Sequence, residues 1–433
     1  MTMLAEAKPY VEAFAATRAT NEPAWLGRRR DAAIKRFGEL GFPTRRQESW
    51  RFNDLRPLTR NVFAPARDGA TAEPAALDLC KLKVPSYRLV LVNGGCSAEL
   101  SAIGALPKGV WLASTARTLA DRPELLEPAL HETDTAGAQP FAALNAALFA
   151  DGFVLALEPG VTLDNPVEII HLEQGVQQSF HLRNLIRLGA GSRATLVETY
   201  AGSGASWINA VGVIDLAQGA ALTHVTVQDE SREAIHLGQN RIELAAKSRY
   251  ESFVLTLGGR LSRHDSLVKL DGEGAHGVLD GAYLLRGEQE ATNTTFVEHV
   301  APGCTSREYF KGVAQDRAHG VFLGTIAVRP NAQKTDAHML NKNLLLSRGA
   351  AIDSKPELDI LADDVKCSHG ATVGDLDEAA LFYLESRGIP PDEARRMLVE
   401  AFAVEAVERV ENPDLRAHLA AHLSRWLAGG DGK

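Results

Sequence analysis

Cysteine is scarce in this sequence, and the cysteines present do not form a recognisable ligand pattern. The 433 residues contain four, Cys80, Cys96, Cys304 and Cys367, and no C-x-x-C pair. This spacing excludes a disulfide framework and a cysteine-only zinc or iron–sulfur motif. The start of the chain lacks the basic and apolar regions of a signal peptide, and no apolar run is long enough to span a bilayer. We therefore expect a reduced, cytoplasmic protein.

Positive charge is also in short supply. Lysine and arginine number 46 against 55 aspartates and glutamates, which gives a formal net charge of −9. A general binder of nucleic acid or of anionic membranes needs a basic field, so this balance argues against both classes. The sequence also lacks a P-loop, a nucleophile elbow and an H-E-x-x-H motif. Several common enzyme classes are therefore excluded.

What the sequence does contain is a repeat that spans residues 157–360. Leu188, Leu216 and Leu244 occupy equivalent positions in three similar segments, each 28 residues after the last. The spacing continues more loosely in both directions, through Leu157, Leu270, Val300, Val328 and Ile360. A fixed period of roughly 20–50 residues is typical of solenoids, propellers and arrays.

Short alternating strands between glycine-bearing corners favour a solenoid among these architectures. Alternation places one face of each strand inward, and stacked units bury those faces against each other. The sequence therefore predicts a mainly β protein with a right-handed parallel β-helix core. A β-sandwich or a propeller is the alternative, although propeller blades need about 40 residues each.

Helical patterns flank this core. We predict an N-terminal helical region and linker at residues 1–85, a β-helix core at 86–370 with a helical excursion at about 117–150, and a C-terminal helical domain at 371–433. An arginine cluster around Trp50 is interpreted as part of a salt-bridged helix pair that caps the solenoid, with a binding patch as the alternative. The C-terminal helices either cap the open end of the solenoid or bind a partner, because exposed strand edges need cover.

The richest set of metal-ligand side chains lies where the solenoid ends. Cys367 and His369 are two residues apart, so on a strand they point to the same side and could face one metal ion. Asp363 and Asp364 are near enough in sequence to add oxygen ligands. Zinc or iron would suit the pair, but two ligands do not complete a site. A buried thiol beside a hydrogen-bonded corner histidine is the structural alternative.

A function of another class is a catalytic β-helix acting on polysaccharide, as a lyase or hydrolase. Such sites need clustered carboxylates on one face of the solenoid. The acidic residues that merit testing are Asp265, Asp271, Glu273 and Asp280.

The segment at residues 363–374, DDVKCSHGATVG, resembles the C-terminal signature of the SufB/SufD family of iron–sulfur cluster assembly proteins. Further similar stretches are residues 45–51 (RRQESWR), 181–186 (HLRNLI), 332–345 (AQKTDAHMLNKNLL) and 381–389 (LFYLESRGI). The resemblance covers essentially the whole chain. Residues 341–346 hold no cysteine where the SufB branch has an acceptor cysteine, which favours the SufD branch.

The resemblance implies a non-enzymatic scaffold that pairs with a SufB subunit through the β-helix and docks the ATPase SufC through the C-terminal helices. His369, with Cys367 beside it, then faces SufB, where iron or a nascent cluster binds transiently. No cofactor is expected to stay on this chain alone, and the isolated chain could pair with itself. The partner-binding candidates on the C-terminal helices are Leu381, Phe382, Tyr383, Arg387, Met397, Leu398 and Phe402.

Overall fold

The computed structural model describes residues 5–17, 22–66, 74–132, 139–175 and 177–429. Its central part is a parallel β-solenoid of about eight turns with helices at both termini, so the predicted fold class is confirmed. In chain order the strands are β1 (Ala64–Pro65), β2 (Tyr87–Val92), β3 (Gly95–Ala102), β4 (Val110–Ser114), β5 (Phe153–Leu157), β6 (Val167–Gln174), β7 (Gln178–Leu188), β8 (Arg193–Ser203), β9 (Ser206–Leu216), β10 (Ala221–Asp229), β11 (Ile235–Leu244), β12 (Arg249–Thr256), β13 (Leu261–Leu270), β14 (His276–Leu285), β15 (Glu290–His299), β16 (Thr305–Ala314), β17 (His319–Val328), β18 (Asp336–Leu345), β19 (Ala351–Ile360) and β20 (Lys366–Gly374).

Each turn of the solenoid contributes one strand to each of two facing sheets. From β5 onward the odd-numbered strands form sheet A and the even-numbered strands form sheet B, and neighbours in a sheet are parallel. At the N-terminal end the sheets close differently, because β4 pairs antiparallel with β5 and β3 pairs antiparallel with β2. Apolar side chains from both sheets fill the space between them.

The repeat seen in the sequence is an inner row of side chains in sheet A. Leu157, Leu188, Leu216, Leu244 and Leu270 lie in register on successive strands, and Val328 and Ile360 continue the row. One predicted member is wrong, because His299 occupies the place assigned to Val300. His299 is buried, and its Nε2 atom lies 2.9 Å from Ser306 Oγ. The hydrophobic pattern selected the adjacent valine because histidine is a polar residue type that interrupts an apolar row.

Two corner glycines show why the bends need small residues. Gly219 has a φ of 68°, which side chains other than hydrogen rarely tolerate. At Gly272 a Cβ atom would lie 1.9 Å from the backbone nitrogen of Ala246 in the preceding turn. Close stacking of consecutive turns therefore depends on glycine at this corner.

The helices lie before, within and after the solenoid. They are α1 (Lys8–Thr17), α2 (Ala24–Leu40), α3 (Arg56–Arg60), α4 (Pro74–Cys80), α5 (Thr115–Asp121), α6 (Pro123–Glu132), α7 (Pro140–Leu148), α8 (Glu378–Ser386), α9 (Pro391–Val407) and α10 (Pro413–Leu427), with 3-10 helices at Ala5–Ala7 and Glu48–Trp50. Helix α4 lies in the stretch at residues 67–85 that the composition predicts as the linker, and residues 67–73 lie outside the described residues. So do residues 133–138 of the helical excursion, parts of the N-terminal region at 1–4 and 18–21, and the C-terminal residues 430–433.

The N-terminal helices and α7 cover the outer face of sheet A. Tyr10, Phe42 and Phe141 pack around the buried Trp207 with ring centroids 5.6–6.3 Å away. The arginine-rich segment lies on the same face, where the Arg263 guanidinium sits 3.9 Å from the Trp50 ring centroid. The interpretation of this segment as a cap is therefore wrong, since it covers a side of the solenoid rather than an end.

Helices α9 and α10 lie on the outer face of sheet B. Their apolar side chains pack against outward-facing valine, leucine and phenylalanine residues of β8–β18. The buried Lys311 fixes α9 by donating from Nζ to the Phe402 carbonyl at 2.9 Å and to Glu405 Oε2 at 2.5 Å. Helix α8 differs, because none of its residues is buried. No described helix is long and apolar enough to cross a membrane.

Candidate functional site

Cys367 and His369 lie on β20, the final strand of sheet B. In the described part of the chain β20 pairs with β18 alone, which leaves its other edge open. Cys367 is in register with Ala337 of β18, and His369 is in register with Met339. The pair therefore lies on the last turn of the solenoid, at the open end of the space between the sheets, which we call the mouth.

Both side chains lie on the inner side of β20. Gly370 marks the outer side, since a Cβ atom there would lie 3.1 Å from Leu340 Cδ1, and Leu340 packs with the helices outside sheet B. Alternation along the strand then places His369 inward, and Cys367 with it. Cys367 packs against the interior apolar cluster, to which Met339 also belongs.

The two donors differ in their surroundings. Cys367 is half-buried, and its burial raises the pKa of the thiol above the usual range. Without a metal ion the thiol therefore stays protonated at neutral pH. His369 is exposed to solvent at the mouth. The chain thus offers an accessible imidazole beside a thiol that must lose a proton to bind metal.

The carboxylates predicted near this pair occupy the corner between β19 and β20. Asp364 forms an ion pair with Lys334, and its backbone nitrogen donates to Gln333 Oε1 at 2.9 Å. The described residues contain no group of three or more His, Cys, Asp or Glu side chains that could hold a metal ion. Among these residue types, no third side chain of the described residues joins Cys367 and His369 as a ligand.

Exposed apolar residues surround the mouth. Ile360, Leu361 and Val373 on the last turn expose 38%, 55% and 45% of their surface. The edge of β19 is open in the same way as that of β20 within the described residues. Open strand edges can pair with strands of another sheet, and exposed apolar side chains mark interaction surfaces.

The predicted partner-binding residues fall into two groups. Phe382, Tyr383 and Met397 expose 73%, 58% and 40% of their surface. Arg387 is exposed beside them, with its guanidinium 5.1 Å from the Tyr383 ring centroid. The second group, Leu381, Leu398 and Phe402, is partly buried against the cluster between the helices and sheet B.

The acidic residues considered for a catalytic β-helix are not brought together. Asp265 lies on the outside of sheet A, paired with Arg263 at 2.9 Å. Asp280 lies on the outside of sheet B, paired with Arg409 at 2.7 Å. Asp271 and Glu273 belong to the corner between the sheets. Because a glycosidic bond needs two carboxylates on the same side, this arrangement gives the catalytic alternative no support.

Sequence reasoning missed a buried polar network inside the solenoid. Glu198 points inward between Leu196 and Tyr200, accepts a hydrogen bond from the Tyr200 hydroxyl at 2.8 Å, and lies 2.8 Å from His224 Nε2. Burial raises the pKa of Glu198, but the His171 and His224 rings more than offset this, so the pKa is lowered. The signal available in the sequence was a polar residue at an inward position of an alternating strand.

A second interior carboxyl lies nearer the mouth. Glu308 of β16 is in register with Met339 and, through it, with His369. It is buried, and burial raises its pKa to about 8, with the Thr295 hydroxyl offsetting only part of the effect. Glu308 is therefore mostly protonated at neutral pH.

Comparison with known proteins covers nearly the whole chain. The family profile "SUF system FeS cluster assembly, SufBD core domain" matches residues 171–402, and "SufBD protein N-terminal region" matches residues 5–169. The chain is 31% identical over 403 residues to the iron–sulfur cluster assembly protein SufD of Escherichia coli, covering 92% of each chain. It is 30% identical over 415 residues to a SufBD family protein of Synechocystis, covering 93% of this chain and 91% of the other.

Proposed function

The chain belongs to the SufBD family of iron–sulfur cluster assembly proteins, and from that premise we propose that it is a non-enzymatic scaffold subunit which binds iron or a nascent cluster together with a SufB partner. The single observation that carries the proposal is the position of Cys367 and His369 at an open mouth rimmed by apolar side chains. A second solenoid placed there would pair with the open edges and supply the missing ligands. In this proposal iron and the cluster bind transiently as substrates and are not resident cofactors.

The surface of α8 supports a second contact, with the ATPase SufC. Phe382 and Tyr383 form an exposed aromatic pair next to Arg387. Aromatic and arginine side chains are enriched at the centre of protein interfaces. Helix α8 contacts α9, and α9 is anchored to sheet B through Lys311, so movement of the ATPase would be transmitted to the solenoid. The predicted cytoplasmic location belongs to the same proposal.

The first experiment is co-expression of the chain with SufB and SufC, followed by anaerobic purification and absorbance of the bound cluster. His369→Ala should leave the complex intact and reduce the cluster absorbance several-fold. The matched control is His338→Ala, because His338 is a partly exposed histidine one turn back that faces outward and contacts Ser368. The control should retain the cluster.

Failure would take one of two forms. If nothing co-purifies with the wild-type chain, the scaffold assignment falls. If the complex forms and His369→Ala keeps a full complement of cluster, the chain is structural and His369 has no part in binding iron or the cluster. A homodimer of the isolated chain, measured by size exclusion with light scattering, would indicate that the mouth can also pair with itself.

Binding of SufC is tested separately at α8. Phe382→Asp should abolish co-purification of SufC while SufB still binds. Val62→Asp serves as the control, since Val62 is 57% exposed on a different part of the surface. Retention of SufC by Phe382→Asp would remove α8 from the interface.

A further inference from the structure

A third potential metal ligand lies directly below the mouth. Met339 is in register with His369 on the neighbouring strand, and parallel strands are about 4.8 Å apart. Met339 is 2% exposed and belongs to the interior apolar cluster against which Cys367 packs. A thioether, a thiol and an imidazole therefore occupy adjacent inner positions of the last two turns.

The Met339 sulfur occupies space that a glycine leaves free across the interior. A Cβ atom on Gly324 of sheet A would lie 2.4 Å from Met339 Sδ. The methionine side chain thus extends across the space between the sheets, under the layer that contains His369. On sheet A the residue above Gly324 is Pro356, which carries no polar side-chain atom. The sulfur therefore lies at the base of the mouth. The Pro356 side chain offers no polar atom that could bind a metal there in its place.

The chemistry of these three donors selects a particular class of metal. Thiolate and thioether sulfurs are soft ligands that favour Cu(I), and imidazole also binds copper well. One thiolate neutralises the single charge of Cu(I), whereas a divalent ion would leave net positive charge in a half-buried site. Binding breaks the S–H bond of Cys367, forms a copper–sulfur bond and releases one proton to solvent.

We propose that Cys367, Met339 and His369 form a binding site for Cu(I) at the mouth of the uncomplexed chain. The site shares two residues with the proposed function but needs neither partner. Copper bound there would occupy the donors that the proposed function assigns to iron or a cluster. The free chain would therefore be sensitive to copper, and a partner seated on the mouth would protect it.

The test is an anaerobic titration of the purified full-length chain with Cu(I) in competition with the chromophoric chelator bicinchoninate. The wild-type chain should remove one equivalent of Cu(I) from the chelator and release one proton. Met339→Leu keeps the volume but loses the sulfur, and should weaken binding at least tenfold. Cys96→Ala removes an exposed sulfur on β3, at the opposite end of the solenoid, and is the control that should bind as the wild type does.

X-ray absorption at the copper edge provides a readout that folding defects cannot imitate. Two sulfurs and one nitrogen should surround the metal in the wild type, and one sulfur should disappear in Met339→Leu. The proposal is overturned if the wild type fails to compete, if Met339→Leu binds equally tightly, or if only one sulfur is present. Co-purification of Met339→Leu with SufB and SufC reports on the scaffold role independently of this result.

Discussion

The two ends of the solenoid are built in different ways. At the N-terminal end β3 and β4 run antiparallel to their neighbours, and helices of the excursion pack against β4. Phe153 and Leu155 of the adjoining strand β5 are completely buried. At the C-terminal end β19 and β20 continue the parallel pattern to the last described turn, with open edges and mostly exposed residues. Antiparallel strands end the solenoid at its N-terminal side. The last described turn at the C-terminal side is built like an interior turn, but no further turn pairs with it.

The difference shows that the interactions which stabilise the fold can also be used to bind a partner. Strand edges and inner apolar side chains stabilise every interior turn, and at the C-terminal end those groups remain available for a partner. The last turn should therefore contribute little to the stability of the isolated chain. Three measurements test that contrast, beginning with the largest effect.

Matched leucine substitutions at the two ends compare the ends directly. Leu155 and Leu358 belong to one inner row that runs through Ile186, Ile214 and Ile242. Leu155→Ala should lower the free energy of unfolding by about 3 kcal/mol, because it leaves a cavity in a closed interior. Leu358→Ala, at a partly buried position, should cost about 1 kcal/mol. Urea denaturation of both variants gives the difference, and equal losses would contradict the contrast.

The pH dependence of stability measures how far water enters from the mouth. The folded chain keeps the proton of Glu308 up to a pH of about 8, whereas an unfolded glutamate loses it near pH 4.3. The contribution of this group to the free energy of unfolding is therefore full below about pH 4.3 and falls by about 1.4 kcal/mol per pH unit up to pH 8. Above pH 8 it stays constant. Glu308→Gln should remove this slope.

Urea unfolding between pH 5 and 9 gives the slope as the difference between the wild type and Glu308→Gln. Glu99→Gln, at an exposed site on β3, controls for the loss of one charge. Parallel curves for the wild type and Glu308→Gln would mean that solvent reaches the carboxyl two turns below the mouth. The interior near the open end would then be hydrated, in contrast to the closed end.

The smallest effect is expected at α8, which follows the open end. Replacing Phe382 and Tyr383 together by alanine should change the melting temperature by less than about 2 °C, because neither side chain is buried. The cation–π contact between Arg387 and Tyr383 is exposed and is worth about 0.5 kcal/mol. Leu419→Ala in the packed helix α10 should cost about 3 kcal/mol. A large loss from the α8 variant would show that α8 stabilises the isolated fold.

Sequence reasoning reached the solenoid because its signal is local and repeated. The row from Leu157 to Leu270 has nearly constant spacing, and a leucine at each turn reports the same inward position. His299 was missed because histidine counts as polar in a hydrophobic pattern, even though this one is buried and contacts Ser306 through Nε2. The inward direction of Cys367 and His369 follows from period-two alternation once the strand is known.

Other features depend on contacts that no local pattern contains. The placement of Gly324 opposite Met339 is set by the lengths of the corners between the sheets, and these vary from turn to turn. The position of α9 on sheet B depends on the buried Lys311 meeting Glu405, which lies 94 residues further along the chain. Amphipathic patterns predict that such helices bury a face, but they do not identify the surface that receives it.

Asn53 has a consequence for how the chain matures on the ribosome. Its side chain, 2% exposed, donates to Glu290 at 2.8 Å and to Thr292 at 2.7 Å, more than 230 residues later in the sequence. At roughly 5–20 residues per second, translation takes roughly 10–50 s to deliver those acceptors after Asn53 has emerged. Throughout that interval the outer face of sheet A is incomplete, so the aromatic N-terminal segment cannot pack against all of it. The solenoid can fold turn by turn during synthesis, but the N-terminal segment can complete its packing on sheet A only after β15 has been made.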